Sequence, residues 1–233
     1  MKWFPRLRYL TKVKITMIDI HSHILWGVDD GADSASTSQT LLSQYVEQGV
    51  DCVICTPHQN RILHRTETLR CEFAKFAKEA SDFPVRLYLG AEILYYPGMV
   101  NDLAKGELLT LGGSEYVLVE FPVSQDAEGI YDAIYELSIA KYVPIIAHIE
   151  RYYNLNKKDY FAVKEAGALV QINADVFNYK STAKIAKYLL KKGLVDFIAS
   201  DCHDANHRNV KFTTAREYVK RKFPKQYSKL FER

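Results

Sequence analysis

The 233-residue sequence is poor in cysteine, with four residues at positions 52, 55, 71 and 202. That is too few for a disulfide framework in a chain of this length. Long apolar runs are missing too, so no membrane-spanning helix is expected. Residues 1–16 lack the continuous apolar core and small-residue cleavage site of a secretory signal, and the chain is read as cytoplasmic. There is no G-x-G-x-x-G or Walker-type glycine loop, which leaves nucleotide binding without support. No proline-, glycine- or serine-rich linker divides the chain. Hydrophobic residues make up 48% and charged residues 25%, an ordinary globular composition with ample material for a core. Roughly 250 residues is a usual size for one α/β barrel.

Net charge is small as well, at +3, but it is unevenly spread. Residues 1–16 carry +5 and residues 208–233 carry +7, so 17–207 form a body of −9. An acidic body with basic ends argues against a nucleic-acid partner, which needs a basic face on the folded domain. The division expected is a basic leader over 1–16 and a single catalytic domain over 17–233. Trp3, Phe4, Leu7, Tyr9 and Leu10, set among basic residues, suit weak contact with an anionic membrane surface. The plainer reading is a frayed leader, with Met17 as an alternative start.

Short apolar runs alternate with helix-like stretches. The runs are Met17–Ile20, Cys52–Cys55, Val85–Leu89, Tyr116–Val119, Val143–Ala147, Ala168–Ile172 and Asp196–Ala199. Helices are expected near 37–48, 66–80, 128–141, 158–166, 181–192 and 211–222, and 94–115 breaks the rhythm with a short helix and a turn at Gly112-Gly113. Such alternation implies a parallel sheet. Seven repeats point to a closed barrel, with an open doubly wound sheet as the alternative. Cys52 and Cys55 form a C-x-x-C within an apolar run and read as strand cysteines, not a redox pair.

The residues that follow the runs are His21, His58, Glu92, Glu120, His148, Asn173 and Asp201. In an α/β barrel these strand ends converge on one face. Six of the seven are histidines or carboxylates, which indicates a clustered site at the C-terminal ends of the strands. His21-Ser-His23 places two imidazoles two residues apart, where both can grip one ion. Asp201-Cys-His203 repeats that spacing, and Asp29-Asp30-Gly31 adds a carboxylate in a loop where glycine permits a tight turn. The candidate metal ligands are therefore His21, His23, Asp30, His58, Glu92, Glu120, His148, Asp201 and His203. Nine exceed the about four to six positions of one ion, so two or three divalent cations are implied. Mixed imidazole and carboxylate donors without thiolate suit manganese, iron, zinc or magnesium, and the donor types do not choose among them. Clustered cations activate water for hydrolysis and neutralise anionic oxygens, so the substrate should bring negative charge, such as a phosphate. Arg151, after His148, and Arg208, after His203, can clamp that phosphate. Glu150 is read as orienting Arg151.

These strings resemble a known family. Met17-Ile-Asp-Ile-His-Ser-His23, Val28-Asp-Asp-Gly31, Thr56-Pro-His58, Gly90-Ala-Glu92, Ala147-His-Ile-Glu-Arg151 and Ala199-Ser-Asp-Cys-His203 are similar to the PHP-superfamily bacterial protein-tyrosine phosphatases, metal-dependent and associated with capsule and exopolysaccharide. The resemblance runs from about Met17 to Arg208. It implies a distorted (β/α)7 TIM-like barrel, the PHP fold, with a trinuclear metal site on the nine ligands above and phosphate-binding arginines at Arg151 and, through a variable loop, Arg208. It also implies hydrolysis of phosphotyrosine on a bacterial tyrosine autokinase that controls polysaccharide export. The chain lacks the Asn-Pro-containing tail common in relatives.

Other readings have their own signals. A leaving phenolate with a pKa of about 10 needs little help from an acid; His203 and Asp30 are the candidates if one acts. A thiol phosphatase would use C-x5-R, matched by Cys202/Arg208 and Cys55/Arg61, but neither stretch has the glycine that eases backbone N–H groups around phosphate. Histidinol-phosphate phosphatase, a polymerase-type nuclease and a non-enzymatic kinase-binding metal scaffold complete the alternatives.

Overall fold

The structure, a computed structural model, describes residues 17–231 apart from 61, 63 and 64. The leader reading and the Arg61 of the second C-x5-R match lie outside these residues. The chain alternates short parallel strands with helices: β1 Ile18–Ser22, α1 Ala35–Glu47, β2 Cys52–Cys55, β3 His58–Gln59, α2 Thr66–Glu79, β4 Arg86–Leu89, β5 Glu92–Leu94, α3 Met99–Lys105, β6 Tyr116–Glu120, α4 Ala127–Ile139, β7 Val143–Ile146, α5 Lys157–Glu165, β8 Leu169–Asn173, α6 Lys180–Lys192, β9 Phe197–Ala199, α7 Phe212–Lys222 and α8 Pro224–Phe231.

Local chemistry sets the helix ends. Ser34 and Asp126 cap α1 and α4 by accepting from Thr37 and Gly129 N–H, and Asn156 with Asp159 forms a capping box on α5. Helix α8, absent from the expectations above, begins at Pro224, whose fixed φ and missing N–H suit a first helical position.

Seven continuous strands were expected, and the described residues form nine shorter ones. Two runs break just before their polar ends: Thr56-Pro57 separates β2 from β3, and Gly90-Ala91 separates β4 from β5. Strands β1, β2 and β4 form one parallel set, and β3, β5, β6, β7, β8 and β9 the other. Proline cannot donate to a ladder, which accounts for the first break. At the second, a Cβ on Gly90 would lie 2.9 Å from Leu111 and 3.1 Å from Ile54, so only glycine lets the chain pass there. The sheet curls so that the segment after β9 meets the end of β1: Asp201 N–H donates to His21 O and His23 N–H to Cys202 O, each at 2.9 Å.

Period-two burial divides the core. Ile20, Ile54, Leu118, Ile145, Leu169 and Phe197, from six strands, pack together inside the curl. Val53, Val117, Val119, Val170 and Ile172 face out into the larger layer shared with the helices, including Leu41, Leu42 and Tyr45 of α1. On β6 and β8 the inward set continues from Leu118 to Glu120 and from Leu169 through Gln171 to Asn173. The apolar plug thus ends where the polar side chains begin.

Candidate metal centre

All nine candidate ligands reach one region at the C-terminal ends of the strands. His21 Nε2 and His23 Nε2 face each other at 3.1 Å, and Glu92 Oε2 lies 3.2 Å from both. Asp201 Oδ1 stands 3.5 Å from His21 Nε2 and 3.6 Å from His23 Nε2. The other oxygen of Glu92 meets His148 Nε2 at 3.0 Å. His58 joins the halves of the cluster. Its Nδ1 is 3.2 Å from Glu92 and 3.6 Å from Glu120, and its Nε2 is 3.3 Å from Asp30. His203 Nε2 lies 3.5 Å from the same Asp30 oxygen. Three overlapping groups of ligand atoms emerge: His23, Asp30, His58 and His203; His21, His23 and Glu92; and His58, Glu92 and Glu120.

The cluster has a closed floor and an open rim. His21, His23, Glu92, His148 and Asp201 are buried, whereas the Asp30 side chain is 64% exposed and those of His58 and Glu120 are 29% and 24% exposed. Gly31 serves a close approach: a Cβ there would sit 2.2 Å from the His23 carbonyl oxygen, and its φ is not positive. Two other candidates carry left-handed backbone instead. His148 has φ 28° and Asp201 φ 51°, strained values for non-glycine residues that turn each side chain inward just past its strand.

The electrostatics require positive charge at the centre. Burial alone would raise Glu92, but His21, His148 and His23 outweigh it and hold it well below the usual carboxylate range. Against its burial, His23 is pushed up to about 10 by its hydrogen bonds to Asp29 and Glu92. Asp29, though desolvated, is held at about 2 by His23. Burial and the charge of Glu92 push Glu120 up to about 7. His203, desolvated and stacked 3.9 Å from His23, falls to about 3. Two facing imidazole nitrogens with a carboxylate oxygen 3.2 Å from each attract only around a shared cation or protons. The buried His203 Nε2 has no hydrogen-bond partner and points toward Asp30. This donor set fits divalent cations.

Both candidate clamp residues stand on Asp201. Arg151 Nη2 donates to Oδ2 at 2.7 Å, and Arg208 Nη2 lies 3.1 and 3.2 Å from the two oxygens. Glu150, expected to orient Arg151, makes no hydrogen bond to it, although its charge helps hold the guanidinium protonated. Its Oε1 accepts the Asn173 N–H at 3.0 Å, and its Oε2 has no hydrogen-bond partner. Cys202 faces away from the cluster, with Sγ 3.2 Å from the Tyr45 hydroxyl, and burial pushes its thiol up to about 12. Such a thiol is no nucleophile near neutral pH.

Two further aspartates, Asp29 and Asp19, support the cluster. Asp29, passed over in favour of its neighbour, accepts from His23 Nδ1 at 2.7 Å and from the His58 N–H at 2.9 Å. Asp19 accepts the His21 and Ser200 N–H groups and the Tyr45 hydroxyl beneath the β1–β9 junction. Its position two residues before His21 was the available signal.

The family model described as capsular polysaccharide synthesis, CpsB/CapC, matches residues 17–232. The chain belongs to this family. Among its relatives, tyrosine-protein phosphatase YwqE of Bacillus subtilis is 34% identical over 205 residues, covering 83% of this chain and 80% of the relative. Tyrosine-protein phosphatase CpsB of Streptococcus pneumoniae is 33% identical over 222 residues, covering 89% and 91%. A crystal structure from work on YwqE and CpsB, described as unique metal-dependent tyrosine phosphatases from those two organisms, superposes with a TM-score of 0.84 at 31% identity over 89% of this chain and 87% of the other. The CpsB/CapC assignment begins at Met17, where the described residues also begin.

Proposed function

We propose that this CpsB/CapC-family chain is a metal-dependent protein-tyrosine phosphatase. The observation that carries the reading is the meeting of Arg151 and Arg208 at Asp201, itself at the edge of the imidazole–carboxylate cluster. A phosphoryl group can then lie between two guanidinium forks and a cation site. His21, His23, Asp30, His58, Glu92, Glu120, His148, Asp201 and His203 would hold two or three divalent cations, manganese foremost. Once bound, these supply Lewis acidity: they activate water for attack and neutralise charge on phosphoryl oxygens.

The chain's own residues do the rest. Arg151 and Arg208 bind the equatorial oxygens and strengthen their hold as charge develops in transfer. Their side chains are 34% and 38% exposed, so a protein-borne phosphotyrosine can reach them. Beside them opens a cavity of about 160 Å³ lined by Asp175, Val176 and Tyr179, with room for part of the substrate beyond the phosphate. The phenolate leaves with a pKa of about 10 and needs no strong acid. The substrate proposed is a bacterial tyrosine autokinase of polysaccharide export. Counting the interrupted strands as one each supports the reading of a seven-fold barrel.

The test compares kcat/KM for a phosphotyrosine peptide with that for histidinol phosphate, in wild-type protein and in Arg151→Ala. Preference for the peptide is expected in the wild-type protein, with kcat/KM lowered for both substrates in the variant. Preference for histidinol phosphate would replace this reading with the related phosphoesterase.

A further inference from the structure

Of the seven residues that follow the apolar runs, Asn173, the last of β8, is the one that is not a candidate ligand. The strand's inward side chains nevertheless reach three ligand-bearing segments. Gln171 is fully buried and Asn173 nearly so. Gln171 Oε1 accepts the His148 N–H at 2.7 Å and faces His21 Nδ1 at 3.2 Å. Gln171 Nε2 donates to Asn173 Oδ1 at 2.8 Å, and Asn173 Nδ2 donates to Asp201 Oδ2 at 2.7 Å.

The direction of this chain has one anchor. A backbone N–H can only donate, so the Gln171 atom facing His148 N must be the oxygen. The same oxygen then accepts from His21 Nδ1–H, which leaves the lone pair of the neutral ring on Nε2. That Nε2 is the atom facing His23 and Glu92. The Gln171 amide nitrogen is left to donate onward, which turns the Asn173 oxygen toward it and the Asn173 amino group toward Asp201. Asp201 Oδ2 thereby accepts from Asn173 and Arg151, while Oδ1 points at His21 and His23, with Arg208 Nη2 within reach of both oxygens.

We propose that Gln171 and Asn173 are positioning residues, an amide relay along β8 that aims His21, His148 and Asp201 at the cation site. This rests on the metal-dependent reading above. Partners that orient metal-ligating imidazoles and carboxylates typically change metal affinity 10- to 100-fold when removed.

The test uses the full-length protein, stripped of metal and titrated with manganese chloride in a calorimeter. Bound metal is counted by elemental analysis, and the melting temperature of the stripped protein is recorded. Gln171→Met keeps side-chain length without the amide, and Asn173→Ser removes the donor to Asp201 together with the oxygen that accepts from Gln171. The relay predicts a Kd for manganese raised roughly 10-fold or more in Gln171→Met. It predicts a smaller rise in the same direction for Asn173→Ser, which also serves if the first variant does not fold. A lowered melting temperature with wild-type Kd and stoichiometry in folded variants would reduce both residues to packing and overturn the relay alone. No manganese uptake by the wild-type protein would overturn the relay and the metal-dependent reading together.

Discussion

Arg151 Nη2 donates to Asp201 Oδ2 at 2.7 Å, which joins the proposed phosphate clamp directly to a proposed metal ligand. A guanidinium held there is preorganised beside the cation site and costs little to reorient when phosphate arrives. Arg151→Ala is expected to lower kcat/KM on a phosphotyrosine peptide roughly 100-fold or more. Arg151→Lys should recover little, since an ammonium lacks the planar fork. Steady-state kinetics with a melting curve for each variant checks this, and near-wild-type turnover by Arg151→Ala would remove it from the clamp.

Four candidate carboxylates and five candidate histidines share a partly buried region, so divalent cations should stabilise the fold by mass action. At 100 times Kd, one bound ion contributes about 2.7 kcal/mol. For a domain of this size that corresponds to a rise in Tm of roughly 5–10 °C. Scanning calorimetry of chelated protein with and without manganese chloride measures it, and an unchanged Tm would count against cation binding by the native fold.

Glu150 is buried with one oxygen unpaired, and burial pushes its carboxyl up to about 7. The folded state then binds the proton more tightly than the unfolded chain, whose glutamate titrates near 4.3. Its contribution to stability is present at low pH and declines as pH rises from about 4.3 to about 7, by roughly 4 kcal/mol in all. Glu150→Gln mimics the protonated form and should flatten that decline. Urea denaturation of both proteins at pH 5 and pH 8 tests it: the variant should be the more stable at pH 8, and equal pH slopes would contradict the assignment.

Cys202→Ser should keep kcat within a few-fold of wild type. The thiol is buried against Tyr45, and a serine hydroxyl can take the same contact. Abolished turnover in a folded variant would restore the thiol-nucleophile reading.

Much of this arrangement was legible from position alone. The residues just past each apolar run, together with His23 and His203, are those that converge, because a parallel sheet with helical crossovers sends every strand end to the same face. Side-chain partners were less legible. Glu150 bonds a backbone amide of β8 instead of Arg151, and Asp29 rather than Asp30 holds His23, because such choices depend on where loops from distant segments cross. The breaks at Thr56-Pro57 and Gly90-Ala91 were visible as residue types, yet the continuous apolar runs before them concealed their effect on the strands. Gln171 looked like one polar residue in an apolar run; only its register with Asn173 on the inward face shows what it touches.

The most direct measurement is the rate of phosphotyrosine-peptide hydrolysis by purified full-length protein before chelation, after thorough metal removal, and after adding back manganese. Turnover should disappear with the metal and return with it. An undiminished rate in metal-free protein would contradict the metal-dependent reading.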